Sequence, residues 1–237
     1  NTDVYGVENS MNSTTLPVNV YVYPDAIHHY SLSGDGIMTA GQTNIVTVAA
    51  RDQYENQVTN YSGAKNLLFS GANTSPGGNI PTIETVAFGS NTPVAFTGGV
   101  FSGNMLLYKV ETAEIVVTNN GESIGGGPLS VSVGAAPCSI VEWVNQPPVT
   151  VGVNQALSPV PSVRLTDAYK NPETGSPDVT FRASKTGCFS PVTRTADAGG
   201  AAVLDSFQFP YARVMKLQAT ALAGVNPNSP YSDLVMV

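Results

Sequence analysis

The sequence predicts an all-β protein, and three observations lead to that class. A nine-residue pattern, V-x-x-x-D-x-Y-x-N, occurs at Val48–Asn56 and again at Val163–Asn171, a separation of 115 residues (52 to 167). Each copy begins in a run rich in β-branched residues, which is typical of a strand. The chain also has 23 Gly and 17 Pro and no sustained 3.6-residue apolar period, so short strands and many turns are expected.

Both copies of the pattern are predicted to be tight turns at the ends of strands. An Asp side chain can accept hydrogen bonds from backbone amides two residues further on, and Asn tolerates the left-handed backbone conformation. The tyrosine can lay its ring on the edge of a sheet and keep its hydroxyl in water. The residues assigned to this repeat turn are Asp52, Tyr54, Asn56, Asp167, Tyr169 and Asn171.

Composition and charge limit the architecture and the partners. The 237 residues suit two domains, each of about 100 to 120 residues. The net charge of -7 and the pI near 4.6 argue against nucleic acid as a partner, because its binders need a basic face. The sequence has no apolar run of about 18 residues, so no membrane span is predicted. No signal peptide is predicted either, and the polar start at Asn1 is typical of a mature or excised product.

Residues 1–25 are predicted to be the terminal strands of a preceding module or a strand shared between subunits. Pro17–Val22 aligns with Pro128–Val133 at a shift of 111 residues (17 to 128), and Asp3–Val7 aligns with the neighbourhood of 114–117. Because an unpaired strand can be satisfied by addition to an exposed sheet edge, we expect this segment to pair outside the rest of the chain. Folding back onto the edge of the first module is the alternative. The residues assigned to this assembly strand are Pro17, Val18, Val20, Val22 and Tyr23.

Two modules follow, at residues 26–135 and 136–237. Turn signals recur about every 8–12 residues along both, as in a β-sandwich. Gly134–Pro137 is too short for a free linker, so the modules are expected to stack semi-rigidly. The residues expected to be buried between two sheets are Val46, Val48, Leu68, Leu107, Val116, Val131, Val163, Leu165, Val179, Phe181 and Leu217.

The predicted strands alternate in polarity or are rich in β-branched residues. In the first module they are 28–32, 45–50, 66–70, 82–88, 94–97, 101–109, 113–119 and 129–133. In the second module they are 139–143, 160–165, 178–183, 216–221 and 233–237.

Several short motifs, in the same order in both modules, resemble bacterial immunoglobulin-like repeats. They include Thr39-Ala-Gly-Gln, Asp52-Gln-Tyr-Glu-Asn-Gln-Val, Tyr61-Ser-Gly, Phe96-Thr-Gly-Gly-Val, Leu107-Tyr-Lys-Val-Glu-Thr, Gln146-Pro-Pro and Gly199-Gly-Ala-Ala. The family is that of the invasin/intimin-like and filamin-like modules of large surface proteins. The resemblance implies two tandem immunoglobulin-like β-sandwiches that serve as stalks, sheaths, filaments or adhesin arms, usually without enzymatic activity. Fold alone does not dictate function.

No catalytic residue, cofactor or metal is predicted, and the chain is expected not to be an enzyme. His28 and His29 are adjacent on a predicted strand, so their side chains should point to opposite faces. Residues 121–125 spell G-x-S-x-G, but Gly126-Gly-Pro128 cannot begin the helix that a nucleophile elbow needs.

Glycine-rich and acidic segments are interpreted as turns. The glycine clusters at 77–78 and 125–127 are predicted to be hairpin turns rather than phosphate loops, since no G-K-[ST] follows. Turn formation by Asp is preferred over calcium binding, because the carboxylate spacing is not that of an EF-hand. The carboxylates considered for calcium are Asp35, Asp52, Glu55, Asp167, Glu173 and Asp178.

Cys138 and Cys188 are the two cysteines, both in the second module. An extracellular setting favours a disulfide between them, and closing a loop of about 50 residues would stabilise the fold by roughly 4 kcal/mol. Two free thiols are the alternative, because the resembling repeats do not generally need a bridge. Alkylation under non-reducing denaturation distinguishes the two.

Three functions of different class follow. The first is a structural subunit of an extracellular or cell-surface filament, sheath, stalk or surface layer, with other copies of itself or adjacent modules of a longer chain as partners. The second is an adhesin or carbohydrate-binding module that uses end loops to bind surface glycans. The third is an accessory domain of an enzyme. The candidate exposed aromatic residues for the second are Tyr21, Tyr23, Tyr30 and Trp143, although Trp143 is expected to pack in the core or at the module junction.

Overall fold

The chain is all-β, as predicted. The computed structural model describes residues 2–4, 18–20, 23–119, 124–175, 177–185, 189–221, 231–233 and 235–237, the first two ranges by their backbone alone. These residues form twenty strands and no helix. In this part of the chain, therefore, no helix is long and apolar enough to span a membrane.

The strands are short and are numbered in chain order. They are β1 (Thr2–Val4), β2 (Val18–Val20), β3 (His29–Ser33), β4 (Ile37–Thr39), β5 (Thr43–Arg51), β6 (Gly63–Ser70), β7 (Thr82–Ile83), β8 (Val86–Ala87), β9 (Asn91–Phe96), β10 (Val100–Leu106), β11 (Glu111–Asn119), β12 (Gly125–Gly134), β13 (Ile140–Asn145), β14 (Ser162–Thr166), β15 (Asp178–Ala183), β16 (Val192–Thr195), β17 (Ala201–Val203), β18 (Val214–Met215), β19 (Leu217–Ala221) and β20 (Val235–Met236).

Strands β3 to β12 form the first sandwich. Their hydrogen-bonded path runs β8-β7-β10-β5-β3-β12-β11-β6-β9, with β4 on the side of β12. The path folds into two layers that meet where β3 and β12 share a single parallel pair, Tyr30 and Gly126. The opening strand is divided between the layers, since β3 pairs antiparallel with β5 and β4 pairs parallel with β12. This strand arrangement is that of an immunoglobulin-like sandwich.

The core of the first sandwich lies between these layers. Val46, Val48, Leu107 and Val131 are buried there, as predicted. On the outer face of β5, the hydroxyl of Thr47 is 2.9 Å from that of Ser102.

Two of the core predictions for the first sandwich are wrong by one residue. Leu68 and Val116 are partly exposed, while their neighbours Leu67, Phe69, Ile115 and Val117 face the core. Both errors fall in runs of three apolar residues, which carry no alternation to indicate the inward face. A shift of one residue moves a strand's side chains to the opposite face.

Strands β13 to β20 form the second sandwich. One layer has the order β13-β14-β17 and the facing layer β16-β15-β19, with β18 paired to β20. All five residues predicted for its core are fully buried: Val163, Leu165, Val179, Phe181 and Leu217. The edge at β20 repeats a feature of the first sandwich, because Thr150 pairs parallel with Met236 as β4 pairs parallel with β12.

Strands β1 and β2 form a separate two-stranded antiparallel sheet. Its pairs are Thr2 with Val20, Asp3 with Asn19 and Val4 with Val18. The corresponding pairs of β11 and β12 are Ala113 with Val131, Glu114 with Ser130 and Ile115 with Leu129. Every position is shifted by 111 (2 to 113, 20 to 131), so this hairpin has the register of the last two strands of the first sandwich.

The buried apolar residues fall into two clusters, one within residues 30–133 and the other within 141–235. The domain boundaries at 25/26 and 135/136, as limits of independent modules, stay a prediction.

Candidate interaction site

The first repeat turn is closed by the carboxylate of Asp52. Its Oδ1 accepts hydrogen bonds from the backbone amides of Tyr54 and Asn56, both at 2.9 Å, and its Oδ2 accepts one from Asn56 Nδ2 at 3.1 Å. The left-handed residue is Glu55, with φ 68°, and not the Asn that the sequence suggested. Asn56 instead supplies the carbonyl that accepts from the Asp52 amide at 3.0 Å.

The second repeat turn has the same set of bonds. Asp167 Oδ1 accepts from the amides of Tyr169 at 2.8 Å and Asn171 at 2.9 Å, and Asp167 Oδ2 accepts from Asn171 Nδ2 at 2.8 Å. Lys170 has φ 66°. The two turns therefore have the same local structure, although Glu55 and Lys170 carry opposite charges.

The carboxylate of Asp52 is held in its charged form. Its burial acts to raise the pKa, but hydrogen bonds from the Asn56 side chain and from the amides of Asp25, Asn56 and Tyr54 outweigh that effect and lower the pKa to about 2. Hydrogen bonds to the charged form of an acid favour that form. The turn is thus stable as an anion across the neutral pH range.

The Oδ2 atom in each turn, besides accepting from the Asn side chain, also anchors the chain segment that enters the sandwich. Asp52 Oδ2 accepts from the backbone amide of Asp25 at 3.0 Å, and Asp167 Oδ2 accepts from that of Ala136 at 3.0 Å. Asp25 and Ala136 are themselves 111 residues apart (25 to 136), as are the strands that precede them. Each turn therefore lies where the chain arrives from an earlier pair of strands.

The second turn is docked against the end of the first sandwich through Asn171. This side chain is 1% exposed. Its Oδ1 accepts from the amide of Val110 at 3.0 Å, and its Nδ2 donates to the carbonyl of Tyr108 at 2.7 Å. Asn171 thereby links the loop between β10 and β11 to the second sandwich.

Tyr169 completes this joint. Its carbonyl accepts from the amide of Gly77 at 2.9 Å, and its ring lies 5.0 Å from that of Tyr108 between centroids. Two glycines permit the approach: a Cβ on Gly41, which has φ 76°, would lie 1.9 Å from the Tyr169 hydroxyl oxygen, and a Cβ on Gly77 would lie 2.8 Å from the Tyr169 carbonyl oxygen. We call Gly41, Gly77, Tyr108 and Val110 the socket.

The socket was not predicted from the sequence. Gly41 belongs to the Thr39-Ala-Gly-Gln motif. Gly77 belongs to a cluster that does form a turn, since the amide of Gly78 donates to the carbonyl of Ser75, but the predicted hairpin is wrong, because β6 and β7 on either side are not paired. Neither signal indicates which other loop approaches, because that approach depends on how two sandwiches meet.

The first turn is exposed where the second is covered. Tyr54 is 71% exposed and Asn56 is exposed as well, whereas Tyr169 is half-buried. The same residue types in the same local structure therefore stand in two different environments.

The assembly-strand residues are only partly described. Val18 and Val20 begin and end β2, and Tyr23 is 83% exposed. Pro17 and Val22 lie outside the described residues. The contact of this strand with a partner stays a prediction.

The expectation for the histidines is wrong. His28 precedes β3, which begins at His29, so strand alternation does not separate the pair, and their Nδ1 atoms are 3.4 Å apart. His29 Nε2 also lies 3.1 Å from Glu55 Oε1. Within the ranges the structure describes, no group of three or more His, Cys, Asp or Glu side chains could hold a metal ion.

The second glycine cluster is not a turn. Residues 125–127 lie within β12, where the register with β11 shifts between Ile115 and Val117. A Cβ on Gly126 would lie 2.0 Å from the Tyr30 carbonyl oxygen, so this glycine permits the close approach of β3. Ser123 of the G-x-S-x-G pattern lies outside the described residues, and the strands on either side of it are antiparallel.

The cysteine prediction stays open. Cys138 Sγ lies 3.9 Å from the carbonyl of Ile140, and burial raises the pKa of its thiol. Cys188 lies outside the described residues, so the disulfide stays a prediction.

Aromatic residues of the second sandwich line an open groove. Its volume is about 700 Å³, and its lining includes Phe189, Pro191, Phe207, Pro210 and Tyr211, of which Tyr211 is 63% exposed.

Two of the candidate aromatics pack towards the interior. Tyr30 is 1% exposed, and Trp143 is half-buried against the core of the second sandwich, with its ring centroid 6.0 Å from that of Phe181. Tyr21 lies outside the described residues.

Comparison with known proteins gives structural likenesses only. No protein-family model and no curated protein matches the chain. The D0–D1 domain of intimin is similar over 89% of this chain and 99% of its own length, with 11% identity and a TM-score of 0.31. The chicken CNTN1 FN1–FN3 domains match over 88% and 65%, with 10% identity and a TM-score of 0.41. Domains 4–9 of the surface layer protein SbsC match over 94% and 33%, with 14% identity and a TM-score of 0.30. Likenesses at this level carry no functional argument.

Proposed function

We propose that the chain is a non-enzymatic structural part of an extracellular or cell-surface assembly, such as a filament, sheath, stalk or surface layer. Residues 26–135 and 136–237 act in it as tandem immunoglobulin-like modules stacked end to end. Residues 1–25 supply strands to a preceding module or a neighbouring subunit. The partners are adjacent modules of a longer chain or other copies of this one.

The joint between the sandwiches carries this proposal. Asn171 bonds the amide of Val110 and the carbonyl of Tyr108, and Tyr169 bonds the amide of Gly77. Because backbone groups of the first sandwich take part, the joint resists bending and twisting more than a free linker does. Relative motion is the default between domains unless their interface is large and hydrophobic, so the stiffness expected here rests on these hydrogen bonds and on the ring contact of Tyr169 with Tyr108. A fixed angle between modules suits a part that bears load or sets a spacing.

Electron micrographs of the purified full chain test the assembly. Ordered filaments or lattices are the expected result, and isolated particles would contradict the structural role.

Small-angle scattering of the same material tests the joint separately. The double variant Tyr169→Ala/Asn171→Ala should bend at the joint, whereas Tyr54→Ala/Asn56→Ala, the matched control in the first turn, should keep the scattering curve of the unchanged chain. Equal scattering curves for the two double variants would contradict a stiff joint.

The groove of the second sandwich favours a second candidate, a carbohydrate-binding arm. Exposed aromatic rings can stack on the apolar faces of sugars, and Tyr211 presents such a ring beside Phe189 and Phe207. Binding to a glycan array that Tyr211→Ala abolishes would support this function. Tyr231→Ala is the control, because Tyr231 is 52% exposed and does not line the groove. An array without any bound glycan would exclude the glycans tested.

A further inference from the structure

The first turn has every local feature of the docked second turn but lies uncovered. Its Asp52 carboxylate accepts the same amide and side-chain hydrogen bonds, and its left-handed residue has nearly the same φ. In the second turn, the Asn171 side chain also forms hydrogen bonds with the backbone of the socket residues Val110 and Tyr108. The equivalent Asn56 is exposed, and Tyr54 is 71% exposed.

The chain also reaches the first turn as it reaches the second. Asp25 donates to Asp52 as Ala136 donates to Asp167. Asp25 comes five positions after Val20, and Ala136 comes five positions after Val131. The hairpin of β1 and β2 has the register of β11 and β12 at both strands. A sandwich closed by β1 and β2 would therefore lead to the first turn along the same path.

We propose that the first turn is the plug of a second joint of the same kind. The partner that covers this turn is an immunoglobulin-like module that directly precedes this chain in one polypeptide. Strands β1 and β2 complete that module. That module presents a socket of the chemistry seen here: a glycine with positive φ facing Tyr54, and a backbone carbonyl and amide facing Asn56. The proposal rests on the proposed function and names the surface and partner that continue the stack.

A second copy of this chain does not provide that socket. In the second sandwich, Asn154 stands where Gly41 stands in the first, since its amide donates to the carbonyl of Phe209 as that of Gly41 donates to Leu107, and its φ is 57°. A Cβ at Gly41 would lie 1.9 Å from the tyrosine hydroxyl. Asn154 carries that Cβ, so the free end of the second sandwich cannot seat Tyr54 in the same way.

The test extends the full chain at its N-terminus by a second copy of its own residues 26–111. The shift of 111 makes residue 111 join directly to Asn1, so β1 and β2 complete the added strands. In the fusion, we expect the Tyr54 of the original chain, not that of the added copy, to be nitrated by tetranitromethane on the order of tenfold more slowly than in the unextended chain. Amide exchange at Tyr54 and Asn56 of the original chain should also be slower. Tyr169 is the internal reference and should keep its rate.

A matched fusion carries Gly41→Asn in the added copy only. Asn tolerates the positive φ, as Asn154 does, so the added strands should fold while Tyr54 returns to its original nitration rate. Slow nitration that survives Gly41→Asn would overturn the socket geometry.

Three other results would overturn the proposal, and two of them are read from the fusion. In one, the added strands are protected from exchange while Tyr54 reacts as in the unextended chain. In the other, the added strands stay unprotected, so that β1 and β2 do not close a sandwich. End-to-end association of the unextended chain that Tyr54→Ala abolishes would assign the surface to a second copy and overturn the stated partner. The scattering test of the joint at Tyr169 does not depend on any of these outcomes, so the two proposals can fail separately.

Discussion

The two repeat turns are alike in sequence and local structure but differ in what surrounds them. In both, the Asp carboxylate accepts hydrogen bonds from two backbone amides of the turn and from an Asn side chain. A residue with φ near 67° precedes that Asn. Asn171 is nevertheless buried against the first sandwich, whereas Asn56 is exposed. Hydrogen bonds within the segment are enough to form the turn. The turn becomes part of a joint only where a neighbouring sandwich packs against it. The chain thus provides its own control for separating the stability of the turn from that of the joint.

The largest expected difference is between Asn171→Ala and Asn56→Ala. The first removes bonds to Val110, Tyr108 and Asp167 in a buried site and should lower the free energy of unfolding by roughly 2–4 kcal/mol. The second removes one side-chain bond in an exposed site and should cost less than about 1 kcal/mol. Chemical denaturation of both variants measures the difference. Equal losses would mean that Asn171 serves only its own turn.

Gly77→Ala separates close approach from backbone preference. The added Cβ would lie 2.8 Å from the Tyr169 carbonyl oxygen, so the joint must open or shift, at a cost of about 1–3 kcal/mol. Gly36→Ala is the matched control, because its Cβ would meet nothing nearer than 3.7 Å. The scattering curve and the free energy of unfolding should both change for Gly77→Ala and should stay the same for Gly36→Ala. An unchanged angle between the sandwiches would show that the loop at Gly77 shifts locally and that the joint does not open.

Tyr169→Ala and Tyr54→Ala compare the two rings. Tyr169→Ala removes the ring contact with Tyr108, whose centroid lies 5.0 Å away. We expect the free energy of unfolding to fall by about 1–2 kcal/mol, since aromatic pairs contribute about 0.5–1.5 kcal/mol beyond area burial. Tyr54 is exposed, and its truncation should change stability by less than about 0.5 kcal/mol. Thermal unfolding of the two variants gives the comparison, and a costly Tyr54→Ala would contradict the exposed environment of the first turn.

The smallest expected effect is a pH dependence of the first turn. The pKa of Asp52 is lowered from 3.8 to about 2. An acid whose pKa is lower in the folded state stabilises the fold fully above its unfolded pKa, and this stabilisation is lost as pH falls from about 4 towards 2. Asp52→Asn should therefore flatten the decline of stability between about pH 4 and 2. Parallel acid-unfolding curves for wild type and variant would contradict this assignment.

Residue patterns predicted the inward face well where they alternate and poorly where they do not. Val46 and Val48 flank the polar Thr47, and both are buried. Leu68 and Val116 stand between apolar neighbours, so the pattern did not distinguish the faces, and the structure buries the neighbours instead. The error at His28 has a similar origin, since strand alternation was applied one residue before β3 begins.

The candidate site was predicted in part. Asp52 and Asp167 were assigned as turn formers from sequence, because a short acidic side chain bonds amides two residues on. The socket was not assigned, since Gly41 and Gly77 lie far from Tyr169 in the chain and nothing in their own segments indicates that approach.

The sequence by itself determined the all-β class, the two copies of the turn and the register shared by β1–β2 and β11–β12. These features depend on residues close in the chain, through alternation and through side-chain bonds to nearby amides. Only the tertiary structure decided which copy is buried. Burial of Asn171 depends on a carbonyl at Tyr108 and an amide at Val110, which come within reach only when one sandwich packs against another.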